Sequence, residues 1–178
     1  YEVLSKYSQG IIALSACLGG EIQSNLLKGL YDEGKKAAYR LNEIFGQDNF
    51  FLELQDHGIP EQQTVNHNLI RLSEETGIPL VATNDVHYTY EEDAEAHDIL
   101  LCIQTQKKVA DEDRMRYEGG QYFIKSPQQM YELFPYASEA VENAAENAKD
   151  AVEEVVEDAK EKGADELNKA ADKLKGNN

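Results

Sequence analysis

Short apolar runs alternate along this chain with longer stretches of helical spacing, and the early runs each end in reactive side chains. The first run, Gly10 to Ala16 (GIIALSA), predicts a buried strand that closes on Ser15, Cys17 and the Gly19-Gly20 pair. From Glu21 the apolar positions Ile22, Leu26, Leu30, Ala37, Ala38, Leu41 and Phe45 recur at helical intervals, with Gly29 and Gly34 as candidate breaks between two helices. Phe50 to Leu54 (FFLEL) predicts a second strand, followed by Gln55-Asp56-His57 and the breakers Gly58 and Pro60. Helix resumes from about Glu61 to Thr76, with Val65, Leu69 and Leu72 as its core face. Gly77-Ile78-Pro79 stops it. Leu80, Val81 and Ala82 then make a third strand that opens into Thr83-Asn84-Asp85-Val86-His87.

Further on, Thr89 with Glu92 three residues later fits a capping box for a helix from Tyr90 to about Ile103. Lys107 to Gly120 is polar and reads as a loop, Gln121 to Lys125 as a fourth, shorter strand, and Ser126-Pro127 as a helix start. Strands alternating with helices predict an α/β fold with a mainly parallel sheet or barrel. After Pro135 the composition shifts to Ala, Glu, Asp, Lys, Asn and Val. There Val141, Ala145, Ala148, Val152, Val155 and Ala159 form a thin stripe, too small in volume to bury much. Two parts are therefore expected: a folded domain over 1–135 and an acidic, Ala-rich helical extension over 136–178.

The chain has 178 residues and a formal net charge of -17, which argues against autonomous binding to a nucleic-acid backbone. Residues 137–178 hold twelve acidic and six basic side chains, so most of the charge excess lies in the front part. No run is long and apolar enough to span a bilayer, so no membrane partner is expected. Cys17 and Cys102 form neither a disulfide framework nor a C-x-x-C pair, and no signal peptide opens the chain; both favour a reducing, cytoplasmic setting. The first residue is Tyr, which fits a fragment, a processed chain or a trimmed piece.

Cys17 follows the first strand, His57 the second, and Asp85 and His87 the third. In parallel βα architectures the C-terminal strand ends share one rim. If the backbone stays extended to His87, Asp85 and His87 point to the same face. One thiol, two imidazoles and a carboxylate suit zinc or a mixed nitrogen and oxygen transition-metal site. Each also has an ordinary explanation: Cys17 as a small buried hydrophobe, His57 and Asp85 as turn residues, His87 as a satisfied loop histidine. On the residues alone both readings stay open. His67 and His97 fall mid-helix and read as surface and packing residues. Gly19-Gly20 could form an anion nest, but its spacing matches neither a P-loop nor the dinucleotide fingerprint. Ser15 lacks a nucleophile elbow.

Five ordered blocks carry a family resemblance: IALSACLGGEI (Ile12 to Ile22), FFLELQDHGIPEQ (Phe50 to Gln62), GIPLVATNDVHY (Gly77 to Tyr88), EDAEAHDILLCIQT (Glu92 to Thr105) and YFIKSPQQMYELF (Tyr122 to Phe134). Together they resemble the PHP (polymerase and histidinol phosphatase) domain at the N-terminus of the bacterial replicative DNA polymerase III alpha subunit. The resemblance implies a partial, distorted (β/α)7 barrel with metals at the C-terminal strand ends. By motif it assigns metal-ligand positions to His57, Asp85 and His87, and to Cys17 in the CLGG block. It implies a divalent metal, zinc or manganese, in a site this chain holds only in part, because the H-x-H strand that begins such domains is absent from it. The implied partners are the rest of the polymerase subunit and the replisome, with DNA engaged only through the intact polymerase. The implied activity is a 3′–5′ exonuclease or phosphoesterase in the intact protein, with this chain alone inactive. Two alternatives stand beside it: a non-catalytic brace of the polymerase, and a recombined PHP fragment capped by a helix.

Overall fold

The structure, a computed structural model, describes residues 1–147 together with 149, 156, 157, 160 and 162. The chain divides into two compact units, Tyr1–Asn143 and Ala144–Asn178. In the first unit a helix the sequence pattern did not announce, α1 (Glu2–Tyr7), precedes β1 (Ala13–Leu14). Helices α2 (Glu21–Leu27) and α3 (Tyr31–Phe45) lead to β2 (Phe50–Leu54), and α4 (Pro60–Thr76) leads to β3 (Leu80–Ala82). The three strands form one parallel sheet in the order β1-β2-β3, with Ala13 opposite Phe50 and Leu52 opposite Leu80. Helix α5 (Ala94–Thr105) follows a single 3-10 turn at Glu91–Asp93, and α6 (Pro127–Leu133) closes the labelled elements. The fold is thus mixed α/β with a small parallel sheet.

Several elements differ from the sequence expectation for physical reasons. The strand expected over Gly10 to Ala16 shrinks to two residues. Ile11 N–H is taken by a turn to Ser8 O at 3.1 Å, and Ala16 leaves the extended region at φ 69. The break between α2 and α3 falls at Gly29, whereas Gly34 lies buried inside α3. A Cβ at position 34 would sit 3.1 Å from Leu26 Cδ2, so this glycine lets two helices approach. The N-terminal box ahead of α5 is offset by one residue: Tyr90 N–H bonds the Asp93 carboxylate at 3.0 Å. The fourth strand, Gln121 to Lys125, is reduced to a single parallel bridge between Tyr88 and Phe123. Its carbonyls are satisfied otherwise: the Asn84 amide donates to Phe123 O at 2.6 Å, and His87 N–H to Tyr122 O at 2.8 Å. Helix α6 starts as expected at Ser126, whose hydroxyl accepts Gln129 N–H at 3.3 Å while the Gln129 side chain accepts Ser126 N–H at 2.8 Å.

All five residues of β2 are buried, as suits a central parallel strand covered on both faces. Val65, Leu69 and Leu72 of α4 pack with Leu52 and Leu54 in the main core, as their spacing predicts. Phe134, Ala137, Ala140 and Val141 join that same core. The chain just past Pro135 therefore buries more than its thin stripe promised, because Ala137 and Ala140, outside that stripe, are buried along with Val141. Of that stripe, Ala148, Val152, Val155 and Ala159 lie outside the described residues. In the second unit every described residue is helical.

Candidate functional site

Because the sheet is parallel, its three strands end on one rim, and the segments carrying Cys17, Asp56-His57 and Asp85–His87 leave from it. The floor of the rim is a polar network around Glu53, the charged residue within the FFLEL strand, only 8% exposed. Its carboxylate accepts Ala16 N–H at 3.1 Å, the Gln55 amide at 3.1 Å and the Thr83 hydroxyl. Ser15 Oγ accepts Glu53 N–H at 2.8 Å and the Gln23 amide at 2.6 Å. One buried acid thus ties the ends of all three strands together. The bond from Ala16 N–H helps hold that residue at φ 69, a conformation rare for a residue with a Cβ. The turn leaves the Cys17 thiol exposed.

His57 is buried, and its ring stacks on Tyr122 with centroids 4.2 Å apart and an interplanar angle of 4°. Gln62, in the first turn of α4, grips it twice. Its Oε1 accepts His57 N–H at 2.8 Å, and its Nε2 lies 3.0 Å from His57 Nδ1. The opposite ring nitrogen, Nε2, is buried without a partner among the described residues. Burial holds this imidazole below the ordinary histidine value, while the Asp85 carboxylate and the Gln62 contact act in the other direction. The His87 ring meets the edge of Tyr122 at 5.8 Å, so both imidazoles touch the same phenol. Asp85 Oδ2 lies 3.3 Å from His87 Nε2, and both side chains remain partly exposed.

The loop over 107–120 is tied to α5 by an ion pair. Arg114, its side chain 3% exposed, forms a two-pronged pair with Asp98 of α5 at 2.6 Å on each prong. That guanidinium holds the Asp98 carboxyl below the usual carboxylate range. Farther along, Gly119 at φ +85 passes so close to His57 that a Cβ there would lie 3.4 Å from His57 O. The loop and the His57 turn enclose an open cleft of about 430 Å³ lined by His57, Pro60, Arg116, Glu118, Gly119 and Tyr122.

Asp85 and His87 are therefore paired, and His57 stands beside them through Tyr122. Cys17 lies elsewhere on the rim, lining a cavity of about 10 Å³ with Gln23, Glu53 and Gln62. That volume admits about one water molecule. Among the described residues no three His, Cys, Asp or Glu side chains converge as a ready metal cage. His67 is exposed, and His97 packs against His87, Tyr88 and Tyr117. The sequence reading passed over Gln62, Tyr117, Tyr122 and Arg116. Gln62 and Asn66 were findable, since both polar amides sit on the buried face of α4 beside Val65 and Leu69. Tyr122 and Arg116 had no such signal, because a loop of irregular backbone brings them to the rim.

Residues 1–57 match the family model described as PHP domain. Its relatives are more particular. It is 43% identical over 148 residues to the DNA polymerase III subunit alpha of Treponema pallidum, covering 83% of this chain and 13% of that protein. The corresponding subunit of Borreliella burgdorferi is 44% identical over 146 residues, covering 82% of this chain and 13% of the relative. That of Thermus aquaticus is 42% identical over 154 residues, covering 83% and 12%. The chain is thus homologous to DNA polymerase III alpha subunits over most of its own length, with the PHP-domain match at residues 1–57, and it spans about an eighth of their length. No helix among the described residues is long and apolar enough to cross a membrane.

Proposed function

We propose that this chain is a segment of a replicative DNA polymerase III alpha subunit, that it serves bacterial DNA replication in the cytoplasm, and that its rim contributes ligands to a divalent metal site. The observation that carries the reading is 43% identity over 148 residues to a polymerase III alpha subunit. In this reading the three strands are part of a distorted (β/α)7 barrel, residues 1–135 are the PHP portion, and 136–178 are an acidic extension whose expected helix lies mostly outside the described residues. Two unsatisfied surfaces support membership in a larger protein. Among the described residues the outer edge of β1 has no strand beside it, and Ile11 and Ile12 just before it and Leu14 within it are 46%, 44% and 40% exposed. Helix α5 buries Leu101 and Cys102 yet exposes Ile99, Leu100 and Ile103 on another face, a pattern of helices covered all round. The rest of the subunit would cover both, and DNA and the replisome would be met through it.

Asp85 and His87 fit a metal in donor type, one carboxylate oxygen and one imidazole nitrogen, suited to zinc or manganese. Cys17 and His57 stand on the same rim as further candidates. A bound metal would supply an activated water and charge stabilisation at a phosphodiester, as a 3′–5′ exonuclease or phosphoesterase requires. What this chain's residues contribute is the holding pair, the Tyr122 platform and the Glu53 tie that fixes the strand ends. A second reading, a non-catalytic brace, is favoured by the lack of a three-ligand convergence among the described residues. The test is metal content after dialysis for the wild type and His87→Ala, with nucleotide release from a 3′-ended primer in added zinc or manganese. We expect at most one weakly held ion, lost in His87→Ala, and negligible release by this chain alone. Equal metal in both proteins removes His87 from the site.

A further inference from the structure

We propose that His57 serves the rim as a hydrogen-bond donor to an oxyanion entering the cleft beside Arg116, and does not ligate the metal. The inference deepens the reading of a metal-binding rim and rests on it only for the neighbouring pair. The Gln62 amide decides the matter. Its Oε1 must face His57 N–H, a fixed backbone donor 2.8 Å away, because the reversed amide would set donor against donor. Its Nε2, which only donates, is thereby aimed at His57 Nδ1 at 3.0 Å. Nδ1 must then accept, and the neutral ring carries its proton on Nε2. A histidine that ligates through Nε2 needs the opposite arrangement, with Nδ1–H given to a carbonyl or carboxylate. The held tautomer offers a proton where a metal needs a lone pair.

Among the described residues that proton finds no acceptor. Nε2 is buried and has no partner, although His57 is only 5% exposed, and such orphan donors are rare in folded proteins. His57 and Arg116 line the same cleft of about 430 Å³, and Arg116 spends one nitrogen on Asp111 O at 3.0 Å. An imidazole N–H and a guanidinium fork together recognise oxygen anions, phosphate or carboxylate. Glu118 lines the cleft too and opposes an anion there.

The experiment uses the full 178-residue chain with ¹⁵N-labelled histidine, ring nitrogens read by long-range ¹H–¹⁵N correlation and His57 identified from His57→Gln. The free protein should show Nδ1 as the bare nitrogen of His57 and Nε2 as the protonated one. Inorganic phosphate and acetate are then added separately, which tells a phosphate site from a carboxylate site. Whichever binds should shift the Nε2–H signal, with affinity about tenfold weaker in Arg116→Ala and stronger in Glu118→Gln. Zinc should shift His87 and leave the His57 Nε2 proton in place. In Gln62→Glu an acceptor faces Nδ1, the tautomer reverses, and zinc should then reach His57. Loss of the Nε2 proton on adding zinc to the wild type overturns the proposal. So does a ring that responds to neither anion. If zinc leaves His87 unmoved, the metal reading fails while the tautomer result stands.

Discussion

Replacing Glu53 with Leu should loosen the whole rim. The substitution keeps the bulk of the side chain but removes the acceptor for Ala16 N–H, the Gln55 amide and the Thr83 hydroxyl. Hydrogen bonds to a charged acceptor contribute about 1.5–3 kcal/mol each, though not additively, and the stranded donors add a desolvation cost. Against that, a carboxylate at 8% exposure carries its own burial cost, which the Leu variant recovers. The balance comes to about 3 kcal/mol of lost stability, a fall in Tm on the order of 10 °C for a unit of this size. Glu53→Gln keeps one oxygen for Ala16 N–H and should lose only about 1 kcal/mol. Ala16→Gly added to Glu53→Leu should recover about 1 kcal/mol, since glycine accepts φ 69 without strain. Urea titration followed by far-ultraviolet circular dichroism, with unchanged m-values, measures all three. A Glu53→Leu protein as stable as the wild type would refute the idea that this acid holds the strand ends.

Two further outcomes are expected. Burial depresses the His57 pKa in the folded chain, so between the folded value and the unfolded value of about 6.5 the unfolded state binds more protons. Stability from this group is therefore full above about pH 6.5 and is lost as pH falls, by at most about 1.4 kcal/mol per pH unit; the wild-type minus His57→Gln difference in unfolding free energy should show that slope, and a flat difference from pH 7.5 to about 5.5 would count against it. Phe134→Ala removes a fully buried ring from the main core and should cost about 3–5 kcal/mol, whereas a loss under about 1 kcal/mol would mean that α6 and its continuation are not packed there.

How much of this was legible beforehand depended on whether the signal was local. The β2 run and the Val65, Leu69 and Leu72 face of α4 announced themselves through spacing, and both form where expected. The pairing of Asp85 with His87 followed from a two-residue interval. The Gln121 to Lys125 run had the composition of a strand, but its carbonyls found the Asn84 side chain and the His87 backbone instead. No periodicity encodes that choice. The tautomer of His57 was invisible for another reason: it depends on the orientation of one amide five residues away, set only once the chain has turned into α4.

The strand order has a kinetic consequence. Neighbours in the sheet are successive strands in the chain, so each new strand meets its partner after one local crossover, through α2 and α3 from Ala13 to Phe50 and through α4 from Leu52 to Leu80. Emerging from a ribosome, the segment can zip up in the order of synthesis, with β2 laid on β1 and β3 on β2 before α6 arrives with Phe134. Loop-closure entropy is met in small instalments rather than in one long-range search. The last strand made is always the one awaiting a neighbour, and the slow step shifts to the arrival of the residues that cap the core from far along the chain.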